Sequence, residues 1–243
     1  MEHGPFHQFI IQRYVPIQIG GLDASYTNAS LWMTIVLLVI MALMVLSVRG
    51  GALVPGRMQS VAEMAYEFIA NMIRDNAGQE GMKYFPFVLS LFMFILFCNL
   101  LGLIPYSFTP TSQIVVTLAM ALVVFIGVTI IGFARHGLHF LSFFVPQGVP
   151  ALLLPLLVPI EIFSYVFRPI SLSVRLFANM LAGHTTLVIF AGFVVSLGVL
   201  GGWLPLTFIG ALYCLEVLIA FLQAYVFTIL TCLYLNDALH LHH

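Results

Sequence analysis

Residues 160–200 read IEIFSYVFRPISLSVRLFANMLAGHTTLVIFAGFVVSLGVL, a long hydrophobic run with a few polar residues at helical spacing. A continuous helix of this extent is roughly 60 Å long at 1.5 Å per residue. That is about twice the hydrocarbon thickness of a bilayer. Ordinary tilts, up to roughly 40°, do not absorb the excess. The segment therefore either breaks near Pro169 or lies steeply tilted. A tilted hairpin with a local bend at Pro169 is the favoured reading. Its second arm is 204–239, reached through a turn at Gly201 and Gly202, with Pro205 near its start.

Working outward from this hairpin, residues 30–48, 85–104 and 113–133 are apolar runs of spanning length. Between the first two, Val61, Met64, Ala65, Phe68, Ile69 and Met72 recur at helical spacing among charges, which predicts an amphipathic surface helix over 57–76. Residues 145–159 hold Pro146, Pro150, Pro155 and Pro159 and predict a broken, partly re-entrant segment. Residues 1–29 read as an extramembrane arm or short surface helix, with no cleavable signal pattern. The whole is an all-α polytopic membrane protein in one domain. It has three ordinary transmembrane helices, a surface helix and a tilted C-terminal hairpin.

Composition agrees. The 243 residues are 62% hydrophobic and 7% charged, too few charges to cover a water-facing surface. The partner solvent is the lipid bilayer. A net charge of -1 without a Lys/Arg run gives no basis for nucleic-acid binding. Cys98, Cys214 and Cys232 lie in apolar runs without metal or disulfide spacing, so no metal site and no cofactor are expected. Lys and Arg concentrate after the first span (Arg49, Arg57, Arg74, Lys83) and after the third (Arg135). The positive-inside rule makes those loops cytoplasmic, with the N-terminus outside and the C-terminus inside.

The chemistry is concentrated in the hairpin. Glu161, Ser164, Arg168, Ser171, Arg175 and Asn179 follow at steps of three and four. At about 100° per residue they share one narrow stripe. Arg175 is the sharpest feature, because an arginine at mid-bilayer costs from about 3 to more than 10 kcal/mol. Three readings exist: a snorkelling residue, a static salt bridge to Glu216 or Glu161, or a functional cation. Its depth argues against the first, and the third is favoured. Arginine stays protonated and offers a fork of donors to a carboxylate. It can draw a membrane-embedded carboxylate into its charged form, yet cannot relay protons itself. It suits a barrier between two proton paths. Glu216 and His184, both toward the turn of the hairpin, would form one path; Glu161, Ser164 and Ser171 the other. Glu216, Gln223, Tyr234 and Asp237 keep one face of the last segment. Ser164 and Ser171 also read as helix-packing residues, Asn179 and Gln223 as interhelical glue, and Arg168 as an interfacial structural residue.

One run makes the resemblance specific: Pro169-Ile-Ser-Leu-Ser-Val-Arg175-Leu-Phe-Ala-Asn179-Met-Leu-Ala-Gly-His184. It resembles the signature of subunit a of F-type ATP synthases. Glu216, Gln223 and Tyr234 resemble the family's final helix, and Asn99-Leu-Leu-Gly-Leu-Ile-Pro105 its second-span motif. The resemblance implies a proton-conducting stator beside a rotating ring of c subunits, with peripheral-stalk b subunits as further partners. It implies that Arg175 faces the ring carboxylate. Asn179, His184, Glu216 and Gln223 fall to the proton path on the non-cytoplasmic side. Glu161, Ser164, Ser171 and Tyr234 fall to the cytoplasmic one. The chain would not be an enzyme on its own. It would reside in a bacterial inner membrane, or alternatively the mitochondrial inner membrane. His184 and Glu216 are exchanged relative to the common bacterial pattern, as in the mitochondrial type, which leaves open which accepts the proton first. The rival function is a proton-coupled secondary transporter, which would show internal inverted repeats that this sequence lacks. A membrane enzyme ranks last, since His184 is the one histidine inside a span.

Overall fold

Long apolar runs leave helices as the economical way to satisfy backbone groups in lipid, and helices dominate. The computed structural model describes residues 11–16, 18–19, 22–23, 25–49, 56–104, 107–145 and 153–240. The helices are α1 (Asn28–Arg49), α2 (Arg57–Gly81), α3 (Phe85–Gly102), α4 (Ile114–His136), α5 (Leu154–Gly201) and α6 (Trp203–Leu239). Among the described residues, five helical stretches are long and apolar enough to cross a membrane, with α2 and α3 counted as one.

Three elements differ from the sequence expectation. The N-terminal arm carries four short strands, β1 (Arg13–Val15), β2 (Gln18–Ile19), β3 (Leu22–Asp23) and β4 (Tyr26–Thr27). They pair antiparallel, β1 with β4 and β2 with β3. The ribbon docks on α1: Asn28 N–H donates to the Gln12 carbonyl at 3.1 Å, and Gln12 N–H to Asn28 Oδ1 at 3.3 Å. The amphipathic helix runs past 76 to Gly81 and leads through one 3₁₀ turn (Met82–Tyr84) into α3. Gly78, at φ 67°, supplies the bend where a side chain would be strained. Ile69, Ala70, Met72, Ile73 and Ala77 on α2 are buried, whereas Val61 and Met64 near its start are exposed. The expected lipid-facing stripe is thus split between a protein-packed half and an open half.

The third difference is the start of α5. Of the proline-rich segment 145–159, residues 146–152 lie outside the described residues, but α5 already begins at Leu154. Pro155 sits in its first turn, where the missing N–H costs no intrahelical bond. Pro159 and Pro169 lie inside the helix. Each removes a single bond of the ladder, and helical dihedrals persist through both. Gly198 (φ 60°) is the residue inside α5 with non-helical dihedrals.

α6 is the central element and packs against α2, α3, α4 and α5, while α1 rests on α3 and α2. Its inner face carries Ala220, Ala224, Thr228, Thr231 and Cys232, all 0–1% exposed. Small side chains let the neighbouring backbones approach closely, as bundles in lipid require. Phe227, Ile69, Ile73, Ile95, Leu176 and Val124 fill the space between them.

Candidate functional site

The polar stripe of α5 is placed by the helix's other face. Tyr165, Leu172, Ser173, Leu176 and Met180 are buried against the bundle. Ser173 Oγ meets Thr117 Oγ1 of α4 at 3.0 Å, and Tyr165 OH meets Thr129 Oγ1 at 2.8 Å. These contacts fix the rotation of α5 about its axis. Ser164, Ser171, Arg175 and Asn179 consequently point out of the bundle and are exposed, with Glu161 half-buried beside them. No hydrogen bond or ion pair joins the Arg175 guanidinium to any of the described residues. The static salt bridge to Glu216 or Glu161 is therefore not formed.

Arg168 behaves differently. Its Nη1 donates to Asp237 Oδ2 at 2.9 Å, and its guanidinium carbon lies 5.0 Å from the Tyr234 ring centre and 5.4 Å from that of Tyr165. Tyr234 therefore closes against Arg168, seven residues along the stripe from Arg175.

Toward the hairpin turn, a second polar group is buried between helices. His184 Nε2 lies 3.0 Å from Thr109 Oγ1, in the segment between α3 and α4. Thr109 also donates to the Gly102 carbonyl at 3.1 Å. Glu216 is 8% exposed, and its two carboxylate oxygens accept no hydrogen bond among the described residues. Such a carboxylate is costly inside protein unless protonated or hydrated. It lies against Gly183, the residue before His184; a Cβ there would collide with the carboxylate and sit 3.0 Å from Cδ. So Gly183 brings Glu216 alongside His184's turn of helix across the hairpin. Asn99, fully buried on α3, accepts from Thr111 Oγ1 at 2.7 Å and donates to the Ala220 carbonyl at 3.2 Å, one turn beyond Glu216. Gln223 is half-buried on α6.

Sequence reasoning missed Thr109 and Thr111. Their signal was the run Thr109-Pro-Thr-Ser112, unusually polar for a turn between two apolar helices. Asp237 was seen as part of a stripe, but its partner was not. Among the described residues, no group of three or more His, Cys, Asp or Glu side chains could hold a metal ion.

The family model described as ATP synthase A chain matches residues 30–236, from the first turn of α1 to the last turn of α6. The chain belongs to the ATP synthase A chain family. It is 62% identical to the protein named ATP synthase subunit a of Parvibaculum lavamentivorans, over 98% of this chain and 94% of that one. It is 57% identical to the subunit a of Pelagibacter ubique over the full length of both. With that of Rhizobium etli it shares 61% over 99% of this chain and 98% of the other. As an ATP synthase subunit a, it is a membrane subunit of the complex and not an enzyme by itself. Its relatives and its apolar helices make it a bacterial membrane protein. Membership in this family also displaces the secondary-transporter reading.

Proposed function

We propose that this chain is the stator against which a ring of c subunits turns, and that Arg175 is the cation separating two offset half-channels. The supporting observation is the state of Arg175. It sits in the middle of α5 on an outward face, with no partner among the described residues. An uncommitted guanidinium inside lipid is unfavourable, so an outside anion is needed, and a carboxylate on a rotating helix supplies it.

Protons from the non-cytoplasmic side reach the ring by way of Asn179, His184, Glu216 and Gln223. The buried Glu216 carboxylate beside Gly183 has the chemistry of a transient proton acceptor, and Thr109 holds the His184 ring. The loaded ring carboxylate is neutral and passes into lipid. On its return it meets Arg175, whose fixed positive charge favours the ionised form. The released proton leaves past Ser171, Ser164 and Glu161, with Tyr234 flanking that path, to the cytoplasm. Because the guanidinium does not give up its own proton, the two paths do not short-circuit. Each crossing yields about 2.3 kcal/mol per 100 mV, so several are needed per ATP. The b subunits of the peripheral stalk hold the stator still. The chain sits in the bacterial inner membrane with its N-terminus outside.

Arg175→Ala in the assembled complex tests this. Coupled ATP synthesis should vanish while the complex still assembles. Synthesis at the normal rate would refute the assignment.

A further inference from the structure

Arg168 and Asp237 form an ion pair between α5 and α6, 69 residues apart in sequence. Both side chains are partly enclosed, at 25% and 33% exposure. Three aromatic faces surround the guanidinium: Tyr234 at 5.0 Å, Tyr165 at 5.4 Å and Phe143 at 5.8 Å. Tyr165 is anchored to α4 through Thr129, and Phe144 packs edge-on against it at 5.4 Å. Three elements thus converge on one cation, the 3₁₀ stretch Gly137–Phe144, α5 and α6, with α4 bracing Tyr165 behind it. A planar cation stacked on aromatic rings while pairing with a carboxylate is held far more firmly than an exposed pair.

The placement matters more than the strength. Arg168 and Arg175 belong to the same stripe, two helical turns apart. Tyr234, whose ring lies 5.0 Å from the Arg168 guanidinium carbon, is three residues before Asp237 on α6. Held at Arg168, the Asp237 carboxylate lies about two helical turns from Arg175 along the same stripe, an acid of this chain placed to compete for Arg175 but committed elsewhere. We propose that Arg168 is a positioning residue: it sequesters Asp237 in a neutral pair, so that Arg175 remains the uncommitted cation for an incoming carboxylate. This rests on the stator reading above.

The proposal assigns opposite faults to the two single changes. Arg168→Gln frees Asp237 to draw Arg175 away from its external partner. Asp237→Asn leaves a second uncommitted cation on the stripe. Changing both restores a neutral pair. A clasp acting through structure alone would instead alter how much complex assembles, and turnover per assembled complex would be unaffected.

The test is ATP-driven proton pumping in inverted membrane vesicles, normalised to assembled complex by quantifying c subunit and this chain together. Each single variant should pump about tenfold more slowly per complex, with the double variant back to within about threefold of the parent. Arg168→Lys, which keeps the charge, should retain most of the pumping. Single variants with parental turnover per complex would overturn the proposal, as would a double variant as slow as either single. Arg175→Ala is run alongside. If it still pumps, the stator reading itself fails; if it does not while Arg168→Gln pumps normally, the positioning role alone fails.

Discussion

The outer face of α5 and the interface at the hairpin's turn end both carry polar groups in an apolar protein, yet they are finished in opposite ways. Inside, Asn99 is bonded to Thr111 and to the Ala220 carbonyl, Thr117 to Ser173 and His184 to Thr109. Outside, Ser164, Ser171, Arg175 and Asn179 open outward. Buried polar groups without partners are rare in folded proteins because each is expensive. The inner set obeys that rule within one chain except at Glu216, whose buried carboxylate oxygens accept no hydrogen bond among the described residues. The outer set obeys it only in an assembly. Polar satisfaction therefore separates Asn99, Thr111, Thr117 and Ser173, which build this subunit, from Arg175 and its outward neighbours, and it sets Glu216 apart as the one inner group of this comparison left unbonded.

Replacing residues on each side of that divide should give different kinds of loss. The largest effect is expected on the outer face. Arg175→Lys keeps a charge but loses the fork of donors, and coupled ATP synthesis should fall about a hundredfold with assembly intact. Normal synthesis by the lysine variant would mean that charge alone matters there. Gly183→Val straddles the divide, because its side chain would displace the Glu216 carboxylate. Small misplacements of reacting groups are costly, so proton pumping should drop about tenfold; an unchanged pumping rate would dissociate Glu216 from the path. Asn99→Leu belongs to the inner set. It strands the Thr111 hydroxyl and the Ala220 carbonyl, and should cost about 1–3 kcal/mol, read as faster heat inactivation of the purified complex. Smallest is Thr117→Val, which removes one interhelical bond worth about 0.6 kcal/mol; a slight gain in heat sensitivity with unaltered turnover is the expected result.

The outer face was the more legible half in the sequence. Steps of three and four along 161–179 report directly on one side of a helix, since periodicity is a local property. Arg175 stood out because its cost in lipid does not depend on the rest of the fold. The inner partners were hidden because they join distant positions: Thr109 meets His184 across 75 residues, and Arg168 meets Asp237 across 69. No local pattern encodes such pairs. The N-terminal ribbon was missed for another reason. Residues 18–19 pair with 22–23, and the intervening sequence Gly20–Gly21 is a two-residue hairpin signal that the reading of 1–29 as an arm does not use. Proline content misled the reading of 153–159, where position within the helix decided what each proline cost.

The arms of the terminal hairpin are unequal: α5 has 48 residues and α6 has 37. Joined through Gly202 at one end, they cannot finish level at the other. Asp237, two residues from the end of α6, is opposite Arg168, so the first dozen or so residues of α5 project beyond the end of α6. Glu161 rides on this overhang, among Leu156, Ile160 and Phe163, all of them more than half exposed. On the stator reading, a departing proton would need no tunnel between the two arms. The shorter arm simply ends before the exit is reached, and the doorway is cut by chain length.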